Sequence, residues 1–172
     1  ALGETFRRDI RKIGVDYRTC AATNGPSTAR CLVIVTPDAQ RTMSTYLGVS
    51  AGLSSEDVDV DAIRASQITY LEGYLFDPPE AKKAFFFAAE AAHHAERQVA
   101  LSLSDSFCVD RHRAEFLDLI QGHVDILFAN EEEINALYGT KSFSDSISAV
   151  RSQCQIAVLT RGARGACIVA GS

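Results

Sequence analysis

The feature that most constrains this chain is a repeated switch, beginning after Gly52, between short apolar runs and longer amphipathic ones. Gln67-Ile68-Thr69-Tyr70-Leu71, Val99-Ala100-Leu101-Ser102-Leu103, Val124-Asp125-Ile126-Leu127-Phe128 and Ile156-Ala157-Val158-Leu159 read as strands. Between them lie segments with helical start and stop signals. Asp77-Pro78-Pro79-Glu80 offers an N-cap, a first-turn proline and the third position of a capping box, and opens a helix ending near Gln98. Further helices are predicted from about Asp110 to Gln121, closed by Gly122, from Glu131 to Tyr138, and from Ser144 to Ser152. Strand, helix and strand in succession mean βαβ units, because parallel neighbours need a crossover of this kind; the chain is therefore α/β with a mainly parallel sheet. A fifth strand, Ala166 to Val169, follows a glycine-rich turn.

Upstream the pattern differs. Leu2, Phe6, Ile10 and Ile13 recur every three or four residues, which predicts one amphipathic helix with Gly14 just past its end. Cys31-Leu32-Val33-Ile34-Val35, the turn Pro37-Asp38-Ala39-Gln40 and an alternating run from Arg41 to Leu47 then read as a β-hairpin.

Composition removes several functions. With 172 residues and 47% apolar content the chain can bury a core, so disorder is excluded. Its 17 basic and 22 acidic residues leave a net charge of −5, which argues against nucleic-acid binding. No apolar run is long enough to span a bilayer, and the charged start, Ala1 to Gly14, is not a signal peptide. The five cysteines (Cys20, Cys31, Cys108, Cys154, Cys167) are odd in number, scattered and without a CxxC, so a disulfide framework or zinc site is not expected. A reducing, cytoplasmic setting with buried or inert thiols fits best. Of the histidines, His93 and His94 point different ways on a helix, while His112 and His123 are expected to be isolated.

In open parallel sheets, ligands bind beyond the carboxyl ends of the strands. Here those ends carry Glu72-Gly73, Ser104-Asp105, Asn130 and Thr160-Arg161-Gly162, a polar rim. Asn130-Glu131-Glu132-Glu133 puts three carboxylates in the first turn of a helix, where they can attract a divalent cation, directly or through water. The same spacing is a capping box of Asn130 with Glu133, and the two roles are compatible. Thr160 to Gly165 is either a ligand-contacting turn, with Arg161 or Arg164 on phosphate, or an ordinary β-turn. Arg41 starts an exposed strand, Asp105 suits a helix cap, and Tyr74-Leu75-Phe76 could line a pocket for a flat ring or pack in the core. Neither a Walker A loop nor GxGxxG is present.

Several of these stretches together resemble the PfkB-type (ribokinase-like) carbohydrate and purine kinases, most closely the adenosine kinases. Val124 to Glu133 is similar to that family's strand plus NxxE motif. Leu101 to Phe107 is similar to the strand before it, Val33 to Leu47 (with Thr36 to Met43 within it) to the lid, Leu159 to Gly165 to the T-x-G turn, and Leu2-Gly3 to a D-x-L-G helix start. The resemblance implies ATP and Mg2+ as cofactors. Asn130 and Glu133 would organise Mg2+, Glu133 through water; Thr160 and Gly162 would lie beside the nucleotide. Arg41 would contact the transferred phosphate, and Tyr74 would sit near the substrate ring. It also implies a small-molecule substrate, with adenosine phosphorylated at its 5′-hydroxyl preferred over a ribose- or fructose-like sugar. A non-catalytic nucleotide-binding module is the reading from another class. Residues 1–172 would form one incomplete ribokinase-like domain, with 28–48 part of a β lid. The family's glycine-rich substrate segment and its G-A-G-D run, whose aspartate is the catalytic base, have no counterpart here, so the fragment alone is expected to be inactive. The exposed lid edge leaves both a monomer and a homodimer open.

Overall fold

The computed structural model describes residues 2–171; Ala1 and Ser172 lie outside the described residues. The chain divides into two compact units, residues 1–52 and 53–172. No helix among the described residues is long and apolar enough to cross a membrane.

The first unit opens with helix α1 (Leu2–Lys12), and Gly14 follows in a left-handed conformation (φ 90°) that suits a residue without Cβ. Ile13, expected inside the helix, lies just past it, and none of the helix is buried. Strands β1 (Arg30–Val35) and β2 (Arg41–Tyr46) form the expected antiparallel hairpin, with Val35 opposite Arg41 and Arg30 opposite Tyr46. Its turn closes through Thr36 N–H to Gln40 C=O at 3.0 Å.

The second unit is the α/β sheet. Helix α2 (Val60–Ala65), which the sequence reading did not anticipate, is capped by Asp59. Then come β3 (Ile68–Glu72), α3 (Pro79–His94), β4 (Gln98–Ser102), α4 (Ser106–Arg111), α5 (Arg113–His123), β5 (Ile126–Asn130), α6 (Glu131–Tyr138), α7 (Phe143–Val150), β6 (Ile156–Thr160) and β7 (Ala166–Ala170). The strand order is β3-β4-β5-β6-β7, parallel except for the final antiparallel pair.

Register explains the core. Leu71, Leu101, Leu127, Ala157 and Val169 lie side by side across all five strands, and all are buried. Helix α3 packs on β3 and β4, and its Phe85, Ala88, Ala89 and Ala92, at helical spacing, belong to the same core as this row. Small residues there let the helix approach the sheet closely. Because side chains alternate along a strand, Tyr70, Glu72, Ser102, Phe128, Asn130, Val158, Thr160 and Ile168 share the opposite face.

Several boundaries differ from expectation, each for a local reason. Asp77 does not cap α3; the helix starts at Pro79 after Pro78, and Asp77 accepts from Arg111 Nη2 at 2.8 Å and pairs with His112 Nε2 at 2.8 Å. The helix also stops earlier, at His94, where Glu96 (φ 57°) turns the chain into β4. The single helix expected after Asp110 is two helices that meet at His112, and Gly122 lies within the second instead of closing it. Strand β5 starts two residues later than expected, since Val124 caps α5 and the Asp125 carboxylate accepts from Val99 N–H at 2.8 Å. All five cysteines are free, as expected, but Cys20 and Cys31 are exposed and only Cys108 is fully buried.

Candidate active site

The rim at the carboxyl ends of β3 to β6 holds most of the residues singled out by sequence. Its centre is the start of α6. Asn130 caps the helix, its Oδ1 accepting from Glu133 N–H at 2.8 Å, while Glu133 Oε2 accepts from Asn130 N–H at 2.9 Å and Oε1 from Asn130 Nδ2 at 2.7 Å. The capping box is therefore formed in full. Glu133 is buried, only 7% exposed. Burial raises its carboxyl pKa most, the Asn130 N–H works the other way, and the nearby charges of Asp105, Glu72 and Glu132 add to the rise.

Glu132 is on α6 itself, while Glu72 ends β3 and Asp105 follows β4. Asp105 caps α4, accepting from Phe107 and Cys108 N–H groups, which was its expected ordinary role. Glu72 accepts from the Ser104 hydroxyl and from Tyr70 Oη. Ser104 holds a left-handed backbone (φ 65°), unusual for a residue with a side chain. Gly73 is forced by packing: a Cβ there would stand 2.5 Å from Leu103 C=O and 2.6 Å from Ser102 C=O. This strand end is tightly packed.

Thr160 is the direct register partner of Asn130 across β5 and β6, so the two motifs lie side by side. The turn after it is closed by Arg161 N–H to Gly165 C=O at 2.8 Å. Gly162 (φ 56°) sits in this turn with no atom within 4 Å of where a Cβ would be, leaving the backbone open to a ligand. Arg161 and Arg164, either of which could reach phosphate on one of the two readings of this turn, both donate to Glu131, Arg161 Nε and Nη2 at 3.3 Å. Arg161 also lies over the Phe143 ring, 4.1 Å from its centroid. The Arg161 bond foremost holds the Glu131 carboxyl below its usual range. Sequence reading missed this tie. Acids in a helix first turn and arginines in a later turn are individually ordinary, and only β5–β6 pairing joins them.

Tyr74 lies in the short turn Gly73–Leu75 beyond β3 and is exposed. Phe76 is fully buried and stacks on Phe116 at 4.1 Å, so it belongs to the core. Arg41 opens β2 of the hairpin unit, exposed and opposite Val35. The structure thus brings together Asn130, Glu133, Thr160 and Gly162, while Tyr74 sits at the end of β3 and Arg41 in the other unit.

Beside the rim, Asp77, Cys108 and His112 bring ligand-type atoms within 4.8 Å of one another. His112 is thus not isolated: it also meets Lys82 Nζ at 3.0 Å and Glu115 Oε2 at 3.3 Å. Arg111 and Lys82 already supply the positive charge, and burial pushes the Cys108 thiol up to about 11, so it stays protonated. This is a charge knot that ties the start of α3 to the α4–α5 junction.

Comparison with known proteins places the fold. A probable sugar kinase protein from Rhizobium etli CFN 42 is 45% identical, with a TM-score of 0.95, over 99% of this chain and 52% of its own. The adenosine kinase from Sinorhizobium meliloti is likewise 45% identical with a TM-score of 0.95, over 99% of this chain and 53% of its own. A Ribokinase II from E. coli, solved in complex with ATP and Mg2+, shares the fold at 16% identity with a TM-score of 0.86, over 98% of this chain and 55% of its own. The chain therefore spans about half the length of these proteins. No curated protein matches it. The pfkB family carbohydrate kinase description matches residues 1–172 from end to end, and with the ribokinase-like sheet in place the chain belongs to that family.

Proposed function

We propose that the full-length protein transfers the γ-phosphate of ATP to the 5′-hydroxyl of a nucleoside, with adenosine preferred. The observation that carries this reading is the pairing of Asn130 with Thr160, which sets the Asn130/Glu133 cap beside the open turn at Gly162 on one polar rim. The crowding of Glu72, Asp105, Glu132 and Glu133 fits a divalent cation, whose charge would offset their mutual repulsion. Both Glu133 oxygens are engaged by Asn130, so this side chain would hold Mg2+ through water. Bound Mg2+ would neutralise charge on the phosphate oxygens. Thr160 would offer a hydroxyl and Gly162 its backbone to the nucleotide. Tyr74 would flank the substrate ring. Residues 28–48 would act as a lid carrying Arg41 as the phosphate contact, and the setting would be cytoplasmic.

A sugar acceptor is the second reading, favoured by the equal 45% identity to a sugar kinase and to an adenosine kinase. Steady-state kcat/KM of the full-length protein on adenosine, ribose and fructose, with ATP and Mg2+, separates the two. Adenosine is expected to exceed either sugar by more than about 100-fold, the discrimination that unpaired polar groups in a fitted site impose. A sugar used better than adenosine rejects the nucleoside assignment, and turnover of none rejects the kinase.

A further inference from the structure

At the edge of the sheet opposite the rim, where β5 and β6 begin, lies a cavity of about 420 Å³. It is bordered by the end of α3 (His93), the end of α5 (His123) and the segment after α7 (Arg151 to Gln155). We propose that this cavity binds a small oxyanion, a phosphate group or a compact dicarboxylate.

The lining sorts itself by what is already satisfied. Its acidic residue, Asp125, is engaged by three donors: Oδ2 meets Val99 N–H at 2.8 Å and His93 Nε2 at 3.1 Å, and Oδ1 meets Gln155 Nε2 at 2.9 Å. Asp125 therefore fixes the His93 ring. The Cys154 thiol donates to Ile156 C=O, and burial pushes it up to about 11, so no thiolate is on hand for a metal. Unsatisfied donors remain. Arg151 is exposed and has no ion-pair partner among the described residues. The His123 ring stacks against His93, centroids 6.1 Å apart, and meets the edge of Phe86 at 5.5 Å, with no hydrogen bond to either nitrogen among the described residues. A guanidinium fork with two stacked imidazoles in one concave site is complementary to a planar or tetrahedral oxyanion.

The test is ring-nitrogen NMR of the full-length protein labelled at histidine, titrated in separate arms with sodium phosphate and sodium malonate at constant ionic strength. The His93 and His123 signals are expected to move saturably while His94 and His112 stay in place. Arg151→Gln should weaken the apparent affinity at least about tenfold, as loss of a bidentate charged contact does. Arg151→Lys, which keeps the charge and loses the fork, should fall between. Response to phosphate alone assigns a phosphate group, and response to both assigns an oxyanion site of either kind. Signals that do not move with either probe, or move equally in Arg151→Gln, overturn the proposal. Arg151 is exposed, and unchanged histidine signals in the unliganded variant show that the fold is kept.

Discussion

At the carboxyl end of β5, Asn130 and Glu133 close a reciprocal cap on α6; at the carboxyl end of β3, Asp77 and Glu80 have the same spacing and close nothing. Competition explains the difference. Asp77 is reached by Arg111 through two nitrogens and by His112, and charge-assisted bonds outweigh those from neutral backbone N–H groups. Pro79, at what would be the second helical position, also lacks an N–H for a cap to use, and Glu80 turns to Lys83 at 2.7 Å. Beside Asn130 the available cations, Arg161 and Arg164, are absorbed by Glu131, so the cap forms undisturbed. A capping sequence at a strand end is thus realised only where no cation claims the acid. Where it is realised, the acid ends up buried and among like charges, which is the state a bound cation would relieve.

The largest effect expected from breaking this contrast is at Glu133. In the full-length protein, Glu133→Gln should lower kcat roughly 100-fold, about 2.7 kcal/mol, and raise the Mg2+ requirement. Stability should change by less than about 1 kcal/mol, because the lost bond to Asn130 is offset by removing a buried charge. Mg2+ titrations of the rate beside urea unfolding check this. Normal kinetics with a loss of 1–2 kcal/mol, about the worth of a cap, would reduce Glu133 to a capping residue. The pH dependence is set by the raised carboxyl. Its stability is fully present below the ordinary carboxylate value and lost as pH rises through the folded one. Glu133→Gln should therefore match the parent at acidic pH and gain on it toward neutrality.

Asn130→Ala comes next, with a loss of about 1–2 kcal/mol in urea unfolding, since it orphans the Glu133 N–H and removes the donor to Oε1. Asp77→Asn should cost less, about 0.5–1 kcal/mol, because this carboxylate is close to half exposed and solvent screens it. Its sign with pH is the reverse of that of Glu133. Arg111 foremost holds the Asp77 carboxyl below its ordinary value, so its contribution is present above that value and lost as pH falls. Asp77→Asn should then converge with the parent in acid and trail it at neutrality. Equal losses with the same pH dependence at both helix starts would erase the distinction drawn between them.

The same competition decides what could be read from the sequence. Periodicity located the strands of the sheet, because Leu71, Leu101 and Leu127 belong to one buried row and alternation follows from burial. It misplaced ends where a side chain replaced a backbone bond, as Asp125 does ahead of β5, and it merged two helices that part at His112. Asn130 and Glu133 were legible because a capping box is local. Glu72 and Asp105 as neighbours of Glu133, the tie of Glu131 to two arginines, and the packing that forces Gly73 all depend on strand pairing, which no local spacing encodes.

The smallest expected effect tests that non-local tie. Glu131 holds Arg161 and Arg164, and Arg161 in turn covers Phe143, so the 160–165 turn is fastened to α6 and α7 by side chains as well as by β-pairing. Glu131→Gln keeps an amide oxygen that can still accept from one guanidinium but loses the charge that engages both. The turn should remain, because Arg161 N–H to Gly165 C=O is untouched, yet be held less firmly. In the full-length protein the KM for ATP should rise about threefold while kcat stays within about twofold, the pattern of lost uniform binding. Glu131→Asp, which restores the charge on a shorter arm, should recover part of that rise. A fall in kcat at unchanged KM would instead place Glu131 on the transition state. No change in either would show that β5–β6 pairing alone positions the turn.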